Sequence, residues 1–506
     1  MNVTHPDSPN RRAFLQRSVQ LAFTGAALPT LLNLAAMGDA AAFSAPDGSY
    51  KALVCIFLYG GSDYANTVVT YDDTSHAAYS AIRTSIAIPK ANLTNTLLTP
   101  TTALPSGRQY AFHPSMPDLA NLFNTGKAAV QLNVGPLIVP ITKTQYNGSN
   151  RTLYPLPPKL FSHNDQQSLW QSTYPEGSTI GWGGDIGDLA LASNSNSLFT
   201  CISISGNSVF LSGDSALAYQ VSSGGAVKIN ATSYNVYNSA NVRAVISQLA
   251  QQPRSHILEN EYNRVVTRAI GAETTISSAI GTGQAADGAS STAGVGTFLP
   301  FTNTVLSGNN LASQLKMVAR LIAARSTLGA KRQVFFVSAG GFDLHDNLIA
   351  DQAKNMTALN SALNSFYQTT VNLGVADQVT SFTASDFGRT LTSNGDGSDH
   401  GWGGHHIMVG GAVKGKEFYG VAPPVSVGNT AIADDQWHVG QGRLLPTTSV
   451  DQYAGTLATW FGVNPVGVNG AVSELDGILP NLRNFNGTIQ PSGISYPRNL
   501  GFMLAP

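Results

Sequence analysis

The chain has 506 residues, of which 42% are hydrophobic and only 11% charged, with 50 glycines, so its surface must be polar mainly through uncharged groups. Its 28 basic and 29 acidic residues leave a formal charge of −1, which excludes any global field that would favour nucleic acid or anionic lipid. Two cysteines, Cys55 and Cys201, lie inside apolar runs and read as buried small hydrophobes, not as the frame of a disulfide-rich module.

Near the N-terminus, Asn10-Arg11-Arg12-Ala13-Phe14-Leu15-Gln16 precedes an uncharged stretch from Ser18 to Met37, which runs into Asp39-Ala40-Ala41-Ala42. Paired arginines, a moderately apolar segment and a small-residue cleavage site are the parts of a twin-arginine export signal, expected over residues 1–42. As a membrane anchor the segment is weak, because Gln20, Thr24, Gly25, Pro29 and Asn33 interrupt it. The expectation is export by the twin-arginine machinery to the periplasm or extracellular space, with no stable membrane span after cleavage.

Residues 52–59 form a continuous apolar run stopped by Gly60-Gly61, as expected of a strand buried on both faces. The same pattern returns at 128–135, 333–337, 379–383 and 407–409, each run ending at glycine or a small polar residue. Between them, Leu311, Leu315, Val318 and Ile322 mark one helical stripe, and Met356, Leu359, Leu363 and Phe366 another. Strands separated by helices predict an α/β fold, with a mainly parallel central sheet and helices on both faces. Residues 43–506 are expected to form that domain, with a loop-rich insertion around 271–310, where Ala, Ser, Gly and Thr dominate without apolar periodicity.

The polar residues of interest sit where the apolar runs end, which is where reactive groups gather in such sheets. After the first run come Ser62-Asp63-Tyr64; after the run at 333, Phe342-Asp343-Leu344-His345; after the run at 379, Asp386-Phe387-Gly388-Arg389, and then Asp399-His400-Gly401-Trp402-Gly403-Gly404-His405-His406. Carboxylate and imidazole groups converging from separate strand ends suit one or two divalent ions, zinc first, with manganese, calcium or iron as alternatives. The candidate ligands are therefore Asp63, Asp343, His345, Asp386, Asp399, His400 and His405. Each has a structural alternative: Asp343 and Asp386 as helix caps, the histidines as outer partners of a ligand, and Asp399 as a turn former. His406 should point away from His405 on an extended segment and serve the core. Catalytic candidates are Ser162 and His163, at the start of a helix expected to run to Trp170, and Arg389, which either pairs with a carboxylate or clamps an anionic substrate.

These pieces together resemble the bacterial domain-of-unknown-function family numbered 1501. They are the twin-arginine motif, GlyGlySerAspTyrAlaAsnThr at 60–67, PheSerHisAsnAspGlnGln at 161–167, GlyTrpGlyGlyAsp at 181–185, GlyGlyPheAspLeuHis at 340–345 and SerAspPheGlyArgThr through AspHisGlyTrpGlyGlyHisHis at 385–406. That family is similar in fold to the alkaline phosphatase and sulfatase superfamily, whose members use one or two metals and a Ser, Thr or modified Cys nucleophile. The resemblance implies Asp63 as the first-strand metal aspartate and Ser162 as the nucleophile. It also implies Asp343 and His345 as the mid-chain ligands, Asp386 as the late-strand aspartate and His405 as the final histidine. The chain departs from the superfamily in having Asp386-Phe387 where Asp-His is common, in placing Asp399-His400 after a glycine-rich excursion, and in its tight Asp-x-His spacing at 343–345.

The expected function is a metal-dependent hydrolase of anionic phosphate or sulfate esters, with Ser162 or water as nucleophile. The alternative is a non-catalytic envelope protein that binds polysaccharide or a protein partner, stacking sugars on Trp182 and Trp402 in Gly-Trp-Gly-Gly turns. On the enzyme reading Asp63, Ser162, Asp343, His345, Asp386 and His405 share one pocket; if they are scattered the binding reading gains, and coordinates that send Asp343 and His405 to different regions end the case for catalysis made from these residues.

Overall fold

The first apolar run forms β1 (Lys51–Leu58), whose alternating side chains need cover on both sides. Ala52, Val54, Ile56 and Leu58 enter one core cluster, and Leu53, Cys55 and Phe57 enter another. A strand apolar on both faces belongs at the centre of a layered sheet, and each large side chain so buried contributes about 1.5–3 kcal/mol. The computed structural model describes residues 49–287, 300–467, 472–487 and 494–505. The export signal expected at 1–42 lies outside them.

After β1 come a two-stranded antiparallel pair, β2 (Val68–Thr70) and β3 (Tyr110–Phe112), then β4 (Ala128–Gly135), β5 (Cys201–Ser203), β6 (Tyr219–Ser222) and β7 (Gly225–Ala226). The remaining strands are β8 (Arg332–Ala339), β9 (Val379–Ser385), β10 (Gly404–Gly410), β11 (Phe418–Tyr419) and β12 (Thr448–Ser449). Ten of them make one mixed, mostly parallel sheet in the order β11-β4-β10-β9-β1-β8-β5-β6-β7, with β12 also paired to β4. Inside it β10 runs antiparallel to both its neighbours, and β7 is antiparallel at the edge.

One face is covered by helices Pro117–Asn124, Ile257–Asp287, Asn310–Ala323 and Leu348–Asn372, the last two carrying the expected apolar stripes. The other is covered by His163–Ser172, Trp182–Ala190, Val450–Phe461 and Glu474–Ile478. Residues 271–287 correct the sequence reading: they are not loop but the second half of Ile257–Asp287. Ala272, Ile276, Ala279 and Ile280 are buried there at helical spacing, and alanine, the best helix former, leaves little hydrophobic contrast for a sequence pattern to register. Residues 288–299 of the expected insertion lie outside the described part.

Register fixes the rim. Leu58 lies level with Ala339 on β8 and Ser385 on β9, so three parallel strands finish together. The antiparallel β10 starts near the same rim, Gly404 pairing with Val134 towards the end of β4. The segments leaving β1, β8 and β9 and the segment entering β10 are thereby brought to one place.

Candidate metal centre

Gly60 begins the convergence. With φ +116° it occupies a conformation that favours glycine, and a Cβ on it would sit 2.3 Å from the backbone nitrogen of Asp343. The turn after β1 can therefore lie directly against the chain leaving β8. Beneath them Arg389 is wholly buried, donating from Nη1 to Asp343 Oδ1 at 2.6 Å and to the Gly60 carbonyl at 3.1 Å. Its Nε and Nη2 both donate to Ser398. Burial works to raise the Asp343 carboxyl, but the hydrogen bond and charge of Arg389, with His163 and His345 nearby, outweigh it and hold the group below its ordinary value.

Three histidines reach this carboxylate, and each has its other ring nitrogen engaged. His163, first residue of its helix, places Nδ1 2.6 Å from Asp386 Oδ2 and Nε2 3.5 Å from Asp343 Oδ2. His345 has Nδ1 3.3 Å from Asp399 Oδ1 and Nε2 3.1 Å from Asp343 Oδ1. His400 has Nδ1 2.8 Å from the Phe161 carbonyl and Nε2 3.3 Å from Asp343 Oδ1. Asp386, fully buried, also accepts on Oδ2 from the Gly60 N–H at 3.2 Å and from Gln167 Nε2 at 2.9 Å. The hydrogen bond to Asp386 raises the pKa of His163 against the effect of burial, whereas burial lowers that of His400.

The glycine-rich excursion delivers His400. Arg389 and His400 form an antiparallel bridge, with the N–H of Gly388 donating to the Trp402 carbonyl at 3.0 Å and that of Gly401 to the Gly388 carbonyl at 2.7 Å. A Cβ on Gly397 would stand 2.2 Å from the carbonyl of His345, so the same excursion also seats that residue. Phe387 packs against the rings of both His163 and His400, at 4.9 and 4.6 Å between centroids.

The Nε2 atoms of His345 and His400 are 2.9 Å apart. With its Nδ1 proton on the Phe161 carbonyl, His400 offers a lone pair on Nε2, which either the Nε2–H of His345 or a cation can meet. His163, Asp343 and His400 form a group able to hold a metal ion, their ligand atoms all lying within 4.8 Å of one another. Residues 50–441 match a family described as a protein of unknown function, DUF1501. This chain belongs to the DUF1501 family. Every residue of the centre lies inside the DUF1501 match, and no curated protein matches the sequence.

Other residues expected in the centre of this DUF1501 protein lie elsewhere. Asp63 is not brought to the group: its carboxylate makes a buried ion pair with Arg83 and caps the N–H of Ala65 at 3.1 Å, so its charge is already neutralised. His405 points into a different region from Asp343. Its Nδ1 accepts from the backbone N–H of Asn133 at 3.1 Å, its ring packs against Tyr64 and Tyr110, and burial lowers its pKa to about 3. The expected pairing of Asp343 with His405 is thus absent, which ends the case for catalysis as the sequence framed it; any such case rests instead on the different group His163, Asp343 and His400. His406 serves the core, packed against Trp170 and Tyr453. Arg389 holds Asp343, and Asp386 and Asp399 orient histidines. The Ser162 hydroxyl turns to Asp165 Oδ2 at 2.8 Å.

Trp182 and Trp402 are not stacking platforms. They are 3% and 1% exposed, and their indole N–H groups donate to the carbonyls of Trp170 and Pro136, each at 2.9 Å. Both cysteines are buried free thiols, as expected. Gln167, Phe387 and the Phe161 carbonyl escaped the sequence reading. Gln167 stands one helical turn after His163 and so shares its face, a signal that was present. The backbone carbonyl left none.

Proposed function

We propose that this protein is a metal-dependent hydrolase of phosphate or sulfate esters, exported by the twin-arginine route with one zinc-class ion at His163, Asp343 and His400. The observation that carries the reading is the convergence of three imidazole Nε2 atoms on one carboxylate, each ring locked from behind. His163, Asp343 and His400 bring their ligand atoms within 4.8 Å of one another, and three protein ligands with a position left for water are the pattern of a catalytic zinc site. Two imidazole nitrogens and one carboxylate oxygen favour zinc over calcium or magnesium.

Such an ion would polarise a phosphoryl or sulfuryl oxygen and acidify a water. The chain's own groups would do the rest. Arg389 keeps Asp343 ionised, while Asp386 and Asp399 hold His163 and His345 with Nε2 forward. Ser162 makes no side-chain cap to its helix, so the first N–H groups of His163–Ser172 are open to the ester's anionic oxygens. With the Ser162 hydroxyl committed to Asp165, water is the attacking group, the ester oxygen leaves with a proton, and phosphate or sulfate is released. Burial of both tryptophans removes the sugar-stacking platform from the alternative of a non-catalytic envelope protein.

The test is elemental analysis of the purified protein, followed by aryl phosphate and aryl sulfate turnover. About one equivalent of metal is expected, with Asp343→Asn losing both metal and turnover, and Ser162→Ala keeping turnover within about threefold. Metal-free wild type that still turns over substrate would refute the reading, and total loss in Ser162→Ala would return the nucleophile to serine.

A further inference from the structure

The overall charge of −1 conceals an uneven stretch at the β6–β7 edge of the sheet. Twelve of the twenty exposed large hydrophobic side chains among the described residues fall between Leu217 and Val265. Val242, Val245 and Leu249 recur at helical spacing on helix Ala240–Gln251, and Leu258, Tyr262 and Val265 do so on the first turns of Ile257–Asp287. These stripes point outward. Asn263 and Val266, between them on the second helix, are buried, and Asn263 Nδ2 donates to the Leu249 carbonyl at 3.3 Å, which ties the two helices together. Further along, Ala272, Ile276 and Ala279 anchor the long helix in the core. The arm is thus held at one end and apolar on its outside, and contiguous exposed apolar surface of this kind marks an interaction site.

Charge decides what covers it. Residues 217–273 hold five basic side chains, Lys228, Arg243, Arg254, Arg264 and Arg268, against Glu259, Glu261 and Glu273, and Lys228 pairs with Glu273 at 4.0 Å. Glu261 is already paired with both Arg264 and Arg268, at 3.2 and 3.3 Å, so the excess around the apolar stripes is positive. A second copy of the arm would set like charge against like. We propose that this arm docks on an anionic lipid bilayer, lying flat with its apolar stripes at the headgroup boundary.

Helices that lie on membranes combine an apolar face with flanking basic residues, which an anionic surface attracts. Tyr234, Tyr237 and Tyr262 supply the amphipathic rings favoured at that depth, Tyr237 being 93% exposed. No helix among the described residues is long and apolar enough to cross the bilayer, so the contact is peripheral.

The experiment is co-sedimentation of the purified full chain with vesicles of phosphatidylcholine alone or mixed with phosphatidylglycerol, alongside light scattering in their absence. The protein is expected to pellet only with the anionic vesicles and to be released by high salt. Arg243→Glu combined with Arg254→Glu, and separately Leu258→Glu combined with Tyr262→Glu, should each weaken binding more than about tenfold. Arg254, Leu258 and Tyr262 are exposed and Arg243 is half-buried, and an unchanged melting curve confirms that each variant folds. Binding to neither vesicle, binding unaffected by both variants, or a dimer that the Leu258→Glu, Tyr262→Glu variant dissociates would overturn the proposal, the last by showing that a second copy covers the arm.

Discussion

His400 and His405 are near neighbours in the same glycine-rich segment, yet their rings have different work. His400 offers Nε2 to Asp343 with its Nδ1 fixed on a carbonyl, while His405 has its Nδ1 taken by a backbone N–H and its ring among tyrosines. Deleting an outer partner of a metal ligand typically costs 10–100-fold in affinity, so deleting a ligand should cost at least the upper end of that range. His400→Ala is therefore expected to lose bound metal on dialysis, and His405→Ala to retain it, as read by elemental analysis. The reverse result would restore the assignment that sequence alone favours. Residue chemistry was legible here, since Asp343, His345 and His400 are all candidates on sequence. Which histidine faces inward was not, because that depends on how Gly388 and Gly401 cross, and a turn's exit direction leaves no mark in residue type.

At the scale of elements, the apolar runs located β1, β4, β8, β9 and β10 well, because a strand buried on both faces must be apolar throughout. Their direction was another matter: hydrophobic pattern carries no sense, and β10 proves antiparallel. Its reversal sends the chain up from the rim, so the excursion before it, not the strand itself, supplies His400. The Gly60 turn is the tightest joint in this arrangement. Gly60→Ala would meet both an unfavourable φ and the Asp343 backbone, and backbone cannot give way as a flexible side chain does. Gly395, with φ +140° but open space around it, meets only the first. Chemical denaturation should show a loss of about 3 kcal/mol or more for Gly60→Ala and of about 1 kcal/mol for Gly395→Ala. Equal losses would mean that the close approach at Gly60 is relaxed at little cost.

The molecule as a whole places a buried histidine on each side of its sheet, and acid should expose the consequence. His405 faces one core layer and His406 the other, and burial, the larger influence on both, lowers each to about 3 from the ordinary 6.5. A histidine with a depressed folded-state value stays neutral in the native protein while the unfolded chain takes up the proton. Its contribution is therefore intact above about pH 6.5 and is lost progressively as pH falls towards 3, at up to about 1.4 kcal/mol per pH unit for each ring. Asp451 and Asp185 work in the opposite sense, since burial raises each to about 7, and what they contribute is lost as pH rises through that value. The net curve mixes both signs, so a difference between two proteins is the clean measurement. In His406→Phe the carboxyl contributions are common to both and cancel, while one histidine's acid penalty disappears. The variant should be the less stable at pH 7, having lost the hydrogen bond to Thr383. Between pH 6 and 4 the gap should narrow by roughly 1.4 kcal/mol per pH unit, measured by urea denaturation at fixed ionic strength. Parallel curves across that range would show that His406 is protonated as easily inside the fold as outside it.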